Sequence, residues 1–257
     1  MHPCRLEPDR ASSRIEPVGY RIDLKCRRQR QGIRYVPTRP RTSPSEHTRK
    51  RILDTAERLF GESGVAAVSL RDINRAAGIS QGVLHYHFGG RDALIEALLQ
   101  RTLPGINAQR RQMLATVMAS GRTPDERDFA EILCLPLARL AVGKQSDGHR
   151  FLRCLARLSQ EHNPVWARMA REQMADMALD ELLRARAPAC EASRIEWAIE
   201  ITMNAIHSTL NDIGRPVQTW QHALAAKPMT AEQQIAALTE FVCAGIRAVL
   251  AANTSGT

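Results

Sequence analysis

Hydrophobic positions recur along this chain at three- and four-residue spacing, with no stretch of convincing two-residue alternation, which predicts an all-α protein of about nine helices. The first clear stripe is Ile52, Leu53, Ala56, Leu59 and Phe60, on a helix expected over Glu46–Glu62 and closed by Gly64. A short helix follows, with Leu70, Ile73 and Ala77 on one face. Ser69 stands at its N-cap and Asp72 three residues on, a pairing that satisfies the free N–H groups of a first turn. Gly78 then suits a tight turn, Ile79 plugs the angle, and Ser80 offers a second cap. The next helix is expected over Gln81–His87, docked through Leu84 and Phe88.

The outer face of that helix is unusual. At about 100° per residue, Gly82 and Tyr86 point away from Leu84 and Phe88, with Val83 and His85 flanking them. An exposed helical glycine costs about 1 kcal/mol against alanine. It is easier to understand if another surface comes very close; the plainer alternative is a solvated face with a chance glycine. Two short helices joined by a Gly-bearing turn form a helix-turn-helix, which places its second helix in the DNA major groove.

Downstream, Asp92–Leu103 is amphipathic, and Pro104-Gly105 is expected to break or kink it before a further helix to Ser120. Thr123 as cap and Pro124 at the first position begin the next helix, which ends near Gly143. Further helices are expected over Phe151–Glu161, Val165–Arg186, Glu191–Ile213 and Ala231–Ala251, bounded by His162-Asn163-Pro164, Pro188, Gly214-Arg215-Pro216 and Thr230. The last two are apolar on more than one side, so each needs two partners. Trp197, Ile201, Phe241 and Gly245 would then face a symmetry mate; the alternative is that both faces are intramolecular.

Charge changes the picture less than its total suggests. The net charge is +9, but residues 1–44 carry +7 of it and residues 45–100 carry none. A DNA reading therefore rests on where Arg49, Lys50, Arg71 and Arg91 sit. The Pro- and Arg-rich residues 1–44 are expected to stay disordered. They read either as a basic arm or as an inert segment, even one upstream of the true start. Residues 45–92 read as the DNA-binding domain and residues 93–252 as a helical ligand-binding and dimerisation domain. The six scattered cysteines lack metal-ligand spacing and suit a reducing, cytoplasmic compartment. No apolar run near 18 residues predicts a membrane span, and the N-terminus lacks a secretory core. His85 and His87 are about 200° apart on a helix and cannot clamp one ion, so no metal is expected. No cofactor motif or catalytic signature stands out.

Residues Thr48–Leu99, and LHYHFGGRDAL above all, resemble the N-terminal domain of TetR-family transcriptional regulators. The resemblance covers about a fifth of the chain. It implies a homodimeric, all-helical repressor, bound to operator DNA as a double strand and released by a small-molecule effector. By position it gives Ser69 and Arg71 phosphate contacts, and Gln81, Gly82 and Val83 base edges, where glutamine pairs with adenine and valine packs on a thymine methyl. Tyr86 and His87 would bind backbone or adjacent bases, and Arg91, where the family usually has lysine, would hold phosphate. His85 replaces a common tyrosine, Gly90 a typical serine or asparagine, and Asn74, expected to be exposed, a common alanine.

For the effector, Met113, Phe151, Trp166, Met203 and His207 are candidate cavity residues, His207 with Asn211 as polar anchors. Each is equally the making of an ordinary core. Two rival classes remain. One is a helical protein–protein adaptor that keeps the DNA-binding fold. The other is an all-α enzyme using Glu161-His162 or the acidic residues Asp176, Asp180 and Glu181.

Overall fold

The computed structural model describes residues 44–143, 146–177, 179–188, 190–213 and 229–251. The tail expected over residues 1–44 lies outside them save for Pro44, as does the Gly214-Arg215-Pro216 boundary. The described residues form ten α-helices and no strand. These are α1 (Pro44–Ser63), α2 (Leu70–Ala77), α3 (Gln81–Phe88), α4 (Arg91–Ala119), α5 (Glu126–Val142), α6 (Ser146–Gln160), α7 (Pro164–Asp176), α8 (Leu179–Arg186), α9 (Ala192–Asn211) and α10 (Ala231–Ala251). The all-α expectation holds.

One continuous core runs from Ile52 in α1 to Ile246 in α10. Helix α1 packs along α6 and on α2, while α5, α6, α9 and α10 form a bundle. Helix α4 joins the two regions, contacting α1 and α3 at one end and α5 and α7 further along. The boundary expected at residues 92 and 93 falls within its first turn.

Five expectations are corrected. Helix α4 runs unbroken through Pro104. The proline and Gly105 are exposed, while Leu103 and Ile106 beside them are buried. Burial along that face outweighs the missing N–H, a cost of about 3 kcal/mol. Helix α5 starts two residues late, because Asp125 rather than Thr123 caps it, in a reciprocal capping box with Asp128. Asp125 can satisfy two first-turn N–H groups, those of Arg127 and Asp128.

The helix expected over Val165–Arg186 is two helices, α7 and α8. Met177 and Leu179 are both buried although two positions in an unbroken helix lie about 200° apart; the interruption lets both reach the core. Asn74 is buried, and its Oδ1 has no hydrogen-bond partner. Helix α10 is long and apolar enough by length and composition to cross a membrane, which the sequence reading missed. Here it lays Leu238, Val242, Cys243 and Ile246 against the core.

Candidate functional site

The α2–α3 unit is built by local chemistry. Ser69 Oγ accepts the Asp72 N–H at 3.2 Å and Asp72 Oδ2 accepts the Ser69 N–H at 3.0 Å. The Ser69 hydroxyl also donates to Asp72 Oδ2 at 2.6 Å, and this bond together with the one from the Ser69 N–H holds the Asp72 carboxyl below its ordinary range. Gly78 closes α2 at φ +62°, a left-handed conformation that a Cβ disfavours. Ser80 has N-cap geometry but makes no side-chain cap bond. Leu84 and Phe88 anchor α3 in the core.

The opposite face is bare. Gln81, Gly82, His85 and Tyr86 are exposed, Tyr86 to 83%. A Cβ placed on Gly82 would meet no atom within 4 Å. Val83 and His87 are half-buried at the edges of this face. Nothing in the fold accounts for an aromatic side chain so exposed beside a glycine.

The surrounding cations have distinct occupations. Arg71 is exposed at the start of α2 and forms no ion pair among the described residues, and Ser69 stands exposed beside it. Arg49 lies over the Phe88 ring, 5.1 Å from its centroid, which sets a guanidinium at the C-terminal end of α3. Lys50 pairs with Asp54 at 2.5 Å. Arg91 is spent on the protein itself. It donates to the Val65 and Val68 carbonyls, the latter at 2.5 Å, and covers the Phe60 ring. It clamps the α1–α2 connection.

A second feature lies between α4, α6, α7 and α9. This cavity of about 670 Å³ has Trp166, Ala170, Ile199 and Met203 among its apolar lining. Of the five candidate effector residues, Trp166 and Met203 line it. Phe151 is instead a buried core residue, and Met113 is half-buried without lining the cavity. His207 is buried and packs edge-on to Trp166, ring centroids 5.3 Å apart.

Arg110, absent from the residues expected of the cavity, also lines it. Its signal was present: Leu103, Ile106, Arg110 and Met113 follow one apolar stripe at three- and four-residue spacing, and only Arg110 is charged.

Burial, and secondarily Arg110, pushes the His207 imidazole down to about 3. Its folded pKa lies below the unfolded value of about 6.5, so the unfolded chain takes up a proton first on acidification and stability falls between these values. Acidification from pH 7 to 5 is expected to cost the folded chain about 2 kcal/mol from this group. Urea titrations of the chain and of His207→Leu at both pH values check it; equal losses would refute it. The Cys134 thiol is pushed up to about 12 and Cys154 is also raised, both by burial, so neither is a thiolate near neutral pH.

The last helices leave an apolar face uncovered. Trp197 is 66% exposed, Ile201 49% and Phe241 68%. Ala237, Ala244 and Gly245 are exposed around Phe241, and Trp197 also reaches the cavity rim.

Comparison with known proteins gives the same class, that of DNA-binding transcriptional regulators. Residues 52–98 match the family model "Bacterial regulatory proteins, tetR family", and residues 131–245 match "Tetracyclin repressor-like, C-terminal domain", together more than half of the chain. The chain belongs to the tetR family of bacterial regulatory proteins.

The HTH-type transcriptional repressor KstR2 of Rhodococcus jostii (strain RHA1) is 33% identical over 131 residues, 49% of this chain. The chain spans only 64% of that repressor's length. The HTH-type transcriptional regulator BetI of Rhizobium meliloti (strain 1021) is 24% identical over 209 residues, 81% of this chain and 94% of its own. Among solved structures, NalD, the secondary repressor of the MexAB-OprM multidrug efflux pump in Pseudomonas aeruginosa, is 24% identical with a TM-score of 0.47. That likeness covers 78% of this chain and 97% of NalD.

Proposed function

We propose that this regulator is a homodimeric, cytoplasmic repressor that binds a palindromic operator and leaves it when a small molecule enters the α4–α6–α7–α9 cavity. The observation that carries the DNA half of this reading is the empty face of α3. A glycine and a projecting tyrosine, flanked by Gln81 and His85, can lie flush against base edges. Ser69, Arg49 and Arg71 would hold the phosphates on either side, with His87 at the edge. The exposed Trp197, Ile201 and Phe241, with Gly245 permitting close approach, support a twofold contact through α9 and α10. Two modules would then enter successive major grooves about 34–36 Å apart.

Coupling has two physical routes. One is α4, which contacts α3 at one end and carries Arg110 into the cavity wall. The other is the end of α6. Glu161 accepts the Val65 and Ala66 N–H groups at 2.8 and 2.6 Å, gripping the α1–α2 connection. Its neighbours Ser159 and His162 line the cavity. A ligand that shifts this segment would move the module, by no more than its differential affinity for the two settings.

This use of Glu161 also weakens the enzyme reading, since its carboxylate serves as a structural clasp; Asp176 and Glu181 are exposed. The adaptor reading has no observation in its favour.

The test is direct. Binding of the chain to DNA upstream of its own coding sequence, scanned for an inverted repeat, is compared with that of Gln81→Ala and Tyr86→Ala. Each substitution is expected to weaken specific binding about tenfold or more, the worth of one good base contact. Equal, feeble binding by all three would favour the adaptor.

A further inference from the structure

Arg110 is the most anomalous charge among the described residues. It projects from α4 into the inner wall of the cavity and is 4% exposed. Its Nη2 donates to the Leu133 carbonyl at 3.1 Å, and its Nε has no partner. No carboxylate among the described residues forms an ion pair with it. Burial brings the guanidinium down to about 10, so it stays charged at neutral pH, and the nearby Cys134 thiol is neutral there. The neutral His207 imidazole lies near, with neither ring nitrogen hydrogen-bonded.

A buried cation without a counter-ion costs several kcal/mol, and among the described residues the one hydrogen bond to the Leu133 carbonyl offsets only part of it. The rim is different. Arg184 pairs with Glu196 at 3.1 Å, and Arg171 is exposed, so rim charges are compensated or hydrated.

The cavity lining is mixed: Ser159, His162, Gln173 and Glu200 contribute polar groups, Glu200 accepting from Asn204 at 3.1 Å, and the remainder of the wall is largely apolar. Trp166, Ala170, Ile199 and Met203 enclose enough space for a ring system or a medium-length chain. A single unpaired guanidinium balances a single negative charge. Beyond the Nη2 bond to Leu133 the guanidinium keeps further donors, the unpartnered Nε–H among them, and the planar fork of a guanidinium matches the two oxygens of a carboxylate.

We propose that the effector is an organic monoanion, its apolar body packed on Trp166, Ala170, Ile199 and Met203 and its carboxylate seated on Arg110. This rests on reading the cavity as the effector site. It adds the charge, the chemical class and the anchoring residue. Arg110 is then kept unpaired in the free chain because its partner arrives with the ligand.

Calorimetric titration of the full chain tests it without DNA. The probes are 2-naphthoate and decanoate, each against its neutral amide. Each carboxylate is expected to bind at least tenfold more tightly than its amide. Arg110→Gln should abolish that preference, Arg110→Lys should keep part of it, and Arg171→Gln at the rim should leave it intact.

The proposal fails if amide and carboxylate bind alike, if neither carboxylate binds at millimolar concentration, or if Arg110→Gln retains the preference. Should Arg110→Gln not fold, the wild-type pairs and Arg171→Gln still decide. Operator binding by the ligand-free chain is a separate readout, and its loss would strike the regulator reading alone. Release of operator by naphthamide but not by naphthoate would keep the effector site and overturn the anion.

Discussion

Leucine in place of Gly82 is expected to leave the free chain at least as stable as the parent and to weaken operator binding more than a hundredfold. The first half follows from position. Gly82 lies in the first turn of α3, exposed, and a Cβ there meets nothing within 4 Å. A good helix former replacing glycine gains up to about 1 kcal/mol. The second half follows from contact distance. With a side chain at that point, α3 must stand off from the base edges, and Gln81, Val83 and Tyr86 lose their reach together. A hundredfold is about 2.7 kcal/mol, a fraction of the roughly 4–10 kcal/mol separating specific from nonspecific binding. Alanine at the same position should give a smaller loss in the same direction. Urea denaturation and fluorescence anisotropy with an operator duplex read the two halves separately. Undiminished operator affinity in Gly82→Leu would mean that α3 does not lie against the bases, whatever its resemblance to a recognition helix.

The α2–turn–α3 unit was legible almost residue by residue because its geometry is set within a few residues. The Ser69–Asp72 box, the Gly78 turn and the Leu84–Phe88 anchor are all local interactions. Legibility fell where distant packing decides. Pro104 is a helix breaker by local rules, yet α4 continues because Leu103 and Ile106 are held by the rest of the core. Periodicity shows that Phe151 and Trp166 face inward, but not that only Trp166 borders a cavity. Arg91 shows the same limit at the site. The family resemblance gave it, at the start of α4, a phosphate contact, while the carbonyls of Val65 and Val68, 26 and 23 residues upstream, take its donors. Asn74 lies four residues after Leu70, within the i, i+3, i+4, i+7 stripe of Leu70, Ile73 and Ala77, so spacing turns it inward, and only its polar side chain suggested a solvent-facing position.

Removing Arg101 is expected to destabilise the chain by about 3 kcal/mol or more at pH 7, beyond the reach of any ordinary surface ion pair. Glu57 is 1% exposed on α1, and burial holds its carboxyl above the usual range despite two nearby arginines. Arg101 of α4 donates to it and to Asp54 at 2.5 Å, and Arg150 of α6 stands 3.7 Å away. Arg101→Ala leaves a buried carboxylate with Arg150 as its main compensation. The folded pKa of Glu57 is raised, so the folded chain takes up this proton at a higher pH than the unfolded chain does. The penalty is therefore full above the folded value and shrinks as pH falls through it toward about 4.5. Chemical denaturation of parent and Arg101→Ala at pH 7 and pH 5 should show the gap narrowing on acidification. Glu57→Leu combined with Arg101→Leu should recover most of the loss, because the cost lies in the stranded charge rather than in the missing attraction. A gap that stays constant with pH, or a double variant as unstable as Arg101→Ala, would show that Arg101 acts through packing alone. The charge network would then not be what fixes α1 against α4 and α6.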